Sequence, residues 1–235
     1  MDISRAKDVL DYWFSKGLYT PDYDKWFMKS QDYDEEIREK FGDLLKEAEQ
    51  GKGFGWLHTK DSYVAYIILL DQFSRHIYRG KGDSFKNDDG CMIFVELGWQ
   101  IYKRQLKGYE FMFAFMPYMH TECNVYQEHG QKEFEEHKSL YIKQIGNTVV
   151  RPDKRYYSTV ENHSSYSARM GCIPEKTNYD KEWDMINAME PHAIGHYFTL
   201  KRFGRFPKRN AALGRESTAD ELNYMKQPEV KNRPY

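Results

Sequence analysis

At 235 residues, with 40% hydrophobic and 16% aromatic content, the chain is long enough for one sizeable core and predicts a single domain, or one with an insertion. Its 30% charged content and mean hydropathy of -0.86 point to a soluble protein, and a net charge of -1 leaves no global field to recruit nucleic acid or an anionic membrane. No apolar run nears the roughly 20 residues of a membrane span, the stretch from Met1 to Leu10 lacks a signal-peptide core, and Cys91, Cys123 and Cys172 stand far apart, so a cytoplasmic protein without disulfides or structural zinc is expected.

Ser4 is placed to cap a first helix that carries Val9, Leu10, Trp13 and Phe14 on one face and stops at Gly17. After a turn around Pro21, Asp34 to Gln50 sets Ile37, Phe41, Leu44, Leu45 and Ala48 at helical spacing, with Gly51 as the stop. The loop GKGFGW leads into Tyr63 to Arg79, a central helix that is apolar all round in its first half, which implies burial. Asp88 or Asp89 is the expected cap of a further helix with Cys91, Phe94, Val95, Gly98, Ile101 and Tyr102 on one face. The aromatic and Met stretch from Glu110, broken by Pro117, reads as a buried loop or short helix, with Thr121 capping a longer helix to about Lys143.

Residues 146–180, rich in Tyr, Ser and Asn and without period, read as an insertion or long excursion. Helical pattern returns at Lys181, passes Pro191 and runs to Phe203, where Gly204 and Pro207 stop it. Thr218 to Glu221 is a capping-box signature for a short last helix, and the chain from about 226 reads as a loose tail. With little strand-like alternation, the fold class is all-α, in antiparallel helix hairpins around the buried central helix 63–79.

Polar chemistry collects in three blocks. The charged end of the central helix holds Asp71, Arg75 and Arg79 at i, i+4 spacings, with Gln72 and His76 alongside. The second block is Pro117 to Glu122, with His120, Glu122 and, on the turn beyond, Gln127. The third runs from His192 to Arg215, with His196, Arg202, Arg205, Arg209, Asn210 and Arg215, and its KRFGRFPKRNAALGR stretch holds no acid, the composition an anion site needs. Each block also has a structural reading: an i, i+4 ion pair, a braced buried turn, and a helix stop with a solvated basic loop. His192 and His196 lie one turn apart, but the Glu of an HExxH zinc site is absent and no metal is expected.

ILLDQFSRHIYRG, PYMHTECNVYQE and HYFTLKRFGRFPKRNAALGRESTADE resemble the signature blocks of the domain of unknown function 924 family, over the chain from about Val9 to Leu222 apart from the insertion. The resemblance implies a helical fold similar to tetratricopeptide repeats, although the sequence itself shows no 34-residue repeat. It also implies Asp71, Gln72, Arg75, Arg79, His120, Glu122, Gln127, His196, Arg202, Arg205, Arg209, Asn210 and Arg215 as family-matching polar positions. The chain departs from that pattern at His76, where Asn is expected, and at Lys208, where His is expected.

Many polar residues drawn from distant blocks, each beside apolar sequence, are best satisfied together in one network. The expectation is a small-molecule enzyme of unknown reaction and unknown cofactor. Its pocket binds an anionic, phosphate- or carboxylate-bearing substrate through Asp71, Gln72, Arg75, His76, Arg79, Gln127, Arg202, Arg205, Arg209, Asn210 and Arg215. His120 paired with Glu122, or else His196, supplies acid/base chemistry. The alternative is a non-catalytic helical scaffold for a peptide or protein partner.

Overall fold

The computed structural model describes residues 1–145 and 178–231, and every regular element among them is helical. α1, Arg5–Trp13, buries Ala6, Val9 and Trp13, but the Ser4 hydroxyl is spent on the Asp2 carboxylate (2.7 Å) rather than on a cap. A short α2, Tyr23–Phe27, follows Pro21 where the sequence predicts only a turn. α3, Gln31–Glu49, buries Ile37, Phe41, Leu44, Leu45 and Ala48, the full predicted stripe, behind a cap from Ser30.

The central helix begins three residues earlier than its apolar run, because Thr59 caps it by accepting from Ser62 N (3.1 Å). It runs as α4, Lys60–Ile67, through a π-helical stretch, Ile68–Phe73, into α5, Ser74–Ile77. The wider turn leaves carbonyls for side chains to take: Leu70 O accepts from Ser74 Oγ (2.6 Å) and Asp71 O from Arg75 Nη1 (3.0 Å). Because the helix ends at Ile77, Arg79 falls off the strip shared by Asp71 and Arg75.

The rod packs on α1, α3, α6 (Met92–Tyr102) and α7 (Tyr109–His120), while α8 (Asn124–Ile145) and α9 (Asn178–Phe203) pack on α7 and on each other. Of the two expected forms, buried loop or short helix, α7 takes the helical one, over twelve residues that are all buried. Neighbours on every side compensate the hydrogen bond that Pro117 cannot make. α6 starts later than predicted because Asp88 and Asp89 bond distant side chains instead of capping it. Its buried residues are Met92, Phe94, Val95, Gly98, Trp99 and Tyr102, and Ile101 points out. Thr121 does not cap α8; its hydroxyl accepts from Cys123 N (3.1 Å) and donates to Asp89 (2.6 Å).

The capping box on α10, Ala219–Met225, forms as the sequence predicts. The expected loose tail contains α11, Pro228–Lys231, with Val230 buried. The predicted insertion lies outside the described residues except for its last three, which open α9.

α6 approaches α4 closely where the two helices cross. Tyr63 lies under Gly98, donating its hydroxyl to Val95 O (3.1 Å), and a Cβ at Gly98 would fall 2.1 Å from the Tyr63 ring. Gly98→Ala is expected to cost about 1–3 kcal/mol through overpacking, read as a lowered melting temperature; an unchanged one would show that α6 does not seat on this ring.

Candidate functional site

The site grows from one helical turn and the segment that folds over it. Asp71, 1% exposed, sits in the π-helical stretch. Its carboxylate lies 2.7 Å and 3.0 Å from His120 Nδ1, at the end of α7. Gln72 Nε2 donates to the other side of the same carboxylate (2.5 Å), and Arg75 Nη2 stands 3.3 Å away. Burial alone would raise the Asp71 pKa, but the Arg75 charge, the His120 ring and these hydrogen bonds outweigh it and hold the carboxyl well below its usual range. His120 is pushed down, by burial first and also by Arg75, against the upward pull of Asp71. A neutral imidazole beside an ionised carboxylate must carry its proton on Nδ1.

Arg75 continues the network outward. Its fork donates to both oxygens of Asp88 (2.9 and 3.0 Å), and Nη1 also reaches Ser84 O (3.1 Å). Asp88 in turn accepts from Arg209 Nη1 (2.9 Å), so two guanidinium groups share one buried carboxylate. Arg209, 5% exposed, stands over the rings of Phe85 and Phe206, 4.5 and 4.7 Å from their centroids, and its buried Nε has no hydrogen-bond partner among the described residues. Burial lowers its pKa, opposed by Asp88. His196 stands beside His120, ring centres 6.0 Å apart, with Nδ1 2.7 Å from His192 O. Burial pushes its pKa well down as well.

Glu122 is not the partner of His120. It accepts from Phe206 N (2.7 Å) and takes the Arg215 fork bidentately (2.6 and 2.9 Å), which pins the 204–215 segment over the site. Burial would raise Glu122, but the bonds from Arg215 and Phe206 hold it low. Above this floor opens a cleft of about 530 Å³ whose lining includes Phe85, Asp88, Asp89, Glu122, Arg209 and Leu213.

Of the residues predicted from sequence, Asp71, Gln72, Arg75, His120, Glu122, His196, Arg209 and Arg215 join this network. The others are placed elsewhere. His76 Nδ1 (2.8 Å) and Arg79 Nη2 (2.7 Å) both meet Asp34 of α3, since the helix ends before Arg79 can follow Arg75. Gln127 donates to Met119 O and Thr121 O, bracing the α7–α8 turn. Arg205 and Asn210 bind Glu221 of the capping box, and Arg202 meets Asp220 on the surface. The basic run without acids is therefore matched by acids from other blocks. Asp88 and Phe85 are the members that sequence reasoning missed; the adjacent Asp88 and Asp89 were the available signal, and helix capping explained them equally well. His192 is exposed while His196 is buried, and no cluster of metal-ligating side chains occurs among the described residues.

A family model described as "Bacterial protein of unknown function (DUF924)" matches residues 9–229. No curated protein matches. Among solved structures, a protein of unknown function from Agrobacterium tumefaciens aligns with a TM-score of 0.66 at 24% identity, over 95% of this chain and 97% of that chain, a likeness of fold.

Acid should loosen the network in two windows. His120 and His196, held below the ordinary 6.5, take up protons more readily once unfolded, so their contribution is complete above about pH 6.5 and declines below it. Glu221, lowered to about 2 chiefly by its bond from Arg205, contributes stability that is present above the ordinary 4.5 and lost as the pH falls toward 2. The melting temperature should fall from about pH 6.5 downward, and Glu221→Gln should flatten only the part below about 4.5. Stability that rises between pH 6.5 and 4.5 would contradict the assignment.

Proposed function

We propose, for a chain that belongs to the DUF924 family and draws no activity from that membership, that the protein is a small-molecule enzyme with His120 as its acid/base. The substrate bears a carboxylate or phosphate and enters the cleft above Arg209. The observation that carries this reading is the 2.7 Å contact between His120 Nδ1 and the ionised Asp71 carboxylate. Asp71 fixes the tautomer, leaves Nε2 as the nitrogen that exchanges a proton, and stabilises the imidazolium that forms. Arg75 raises the cost of that cation, which keeps the base neutral until a substrate proton is offered.

Arg209 supports the anionic side of the reading as the guanidinium that lines the cleft. His120 lies beneath the cleft floor, so turnover requires the 204–215 segment to shift, and the Glu122–Arg215 clamp is the contact that must loosen. The alternative, a helical scaffold for a peptide or protein, is favoured by Ile93, Leu97 and Ile101 of α6, which stand 61%, 48% and 57% exposed at i, i+4 spacing.

The test is consumption of a metabolite pool by wild type and by His120→Ala, each paired with a melting curve. The enzyme reading expects turnover to fall by on the order of 10² to 10⁴ with the fold retained. A wild type that consumes nothing, together with a variant destabilised by roughly 1–3 kcal/mol, would leave His120 as a structural residue.

A further inference from the structure

The outer side of α6 is apolar. Ile93, Leu97 and Ile101 stand exposed on it at i, i+4 spacing, and Glu96, the one charged residue between 90 and 102, is turned aside to His129 of α8 (2.8 Å). Val125, also exposed, borders the stripe: it lies four residues before His129 and four after Thr121, whose hydroxyl donates to Asp89 just ahead of α6. Four exposed aliphatic side chains without a charge among them form the kind of patch that marks an interaction site. Opposite charges stand at its two ends. Asp89, exposed and eight positions before Leu97, accepts from Thr121 (2.6 Å) and forms no ion pair among the described residues. Arg104, exposed and seven positions after Leu97, forms neither a hydrogen bond nor an ion pair among them, whereas the neighbouring Lys103 is held by Glu133 (2.6 Å).

A face with an acid at one end and a base at the other is its own complement when turned end for end. Laid antiparallel across a two-fold axis through Leu97, the stripe sets Leu97 on its own copy and Ile93 on Ile101 of the partner subunit. The same operation carries Arg104 of the partner subunit to Asp89 at both ends of the contact, whereas a parallel arrangement would put like charges together there. A peptide helix would cover the aliphatics without needing that match, and near-equal steps from Leu97 to the two charges are what an isologous contact requires. We propose that two copies of the chain pair through α6 in this antiparallel way. Asp89 also lines the cleft, so the pairing brings Arg104 of the partner subunit to its rim, a further cation at the mouth of a cleft that Arg209 lines. The contact is one helix with its flanks, which sets the association in the micromolar range rather than in that of an obligate dimer. It rests on the exposed face of α6 alone, and not on the cleft as a ligand site or on His120 being catalytic.

The experiment is sedimentation equilibrium of the full chain over a concentration series, with a melting curve for each variant. Wild type is expected to pass from monomer to dimer as its concentration rises, with no larger species, because a two-fold contact closes on itself. Leu97→Arg sets like charges on the axis and should leave monomer only. Arg104→Asp puts a second acid opposite Asp89 of the partner subunit, and Asp89→Arg does the converse; each alone should weaken association about tenfold or more. Mixed in equal amounts, these two variants face each other with opposite charges at both ends, and a heterodimer of about wild-type affinity should form. Asp89→Arg also gives up the Thr121 bond; if it fails to fold, Leu97→Arg and Arg104→Asp, which change only exposed side chains, carry the test by themselves. Wild type that stays monomeric up to about 1 mM overturns the proposal and leaves the face to another partner. A dimer that neither Leu97→Arg nor Arg104→Asp weakens overturns α6 as the contact, and folded single variants that stay apart when mixed overturn the antiparallel register.

Discussion

Arg75 and Arg209 can approach one another beneath the cleft only because Asp88 lies between them, and the arrangement of the site follows from that shared carboxylate. Removing one member of a buried pair strands the other charge and costs about 3–5 kcal/mol, whereas an exposed pair such as Arg202 with Asp220 contributes about 0–1 kcal/mol. The balance at Asp88 therefore fixes the 82–89 loop, the central helix and the 204–215 segment relative to each other. The surface pairs could be lost with little effect on that arrangement.

This compensation also sets the chemistry. Arg75 is held by Asp88 and still lies within 3.3 Å of Asp71, so one cation stabilises two aspartates. Asp71 stays ionised deep in the core, and His120 stays neutral against it although burial and a carboxylate pull in opposite directions. The π-helical turn contributes by releasing the Asp71 carbonyl to Arg75 in the same turn that carries the carboxylate. Two neutral imidazoles, His120 and His196, then stand side by side under a floor made of paired charge.

Much of the fold was legible in the sequence because helical periodicity is local. The α3 stripe, the all-round apolar central helix and the Thr218–Glu221 box needed no tertiary information. α7 was legible only as a buried loop or short helix, because its Pro117 reads as a break. In the site, Asp71 with its i, i+4 partner Arg75 and His120 were recognisable, but the partners from distant segments were not. Glu122 is two residues from His120 and Asp71 is 49 positions away, yet the helix end turns Glu122 toward Arg215 and leaves Asp71 to take the ring. Likewise the basic run near residue 205 looked like an unmatched cation cluster because Asp88, Glu122 and Glu221 reach it from elsewhere in the fold.

The central claim is that Asp71 is ionised and holds His120 as the neutral, Nδ1-protonated tautomer. Nitrogen-15 NMR of the imidazole, followed as the pH is lowered and assigned with His120→Gln, tests it most directly. The account predicts an Nδ1-bound proton, and a ring that stays neutral below pH 6.5, the ordinary imidazole value. A ring that charges at or above that value, or that carries its neutral proton on Nε2, would contradict it.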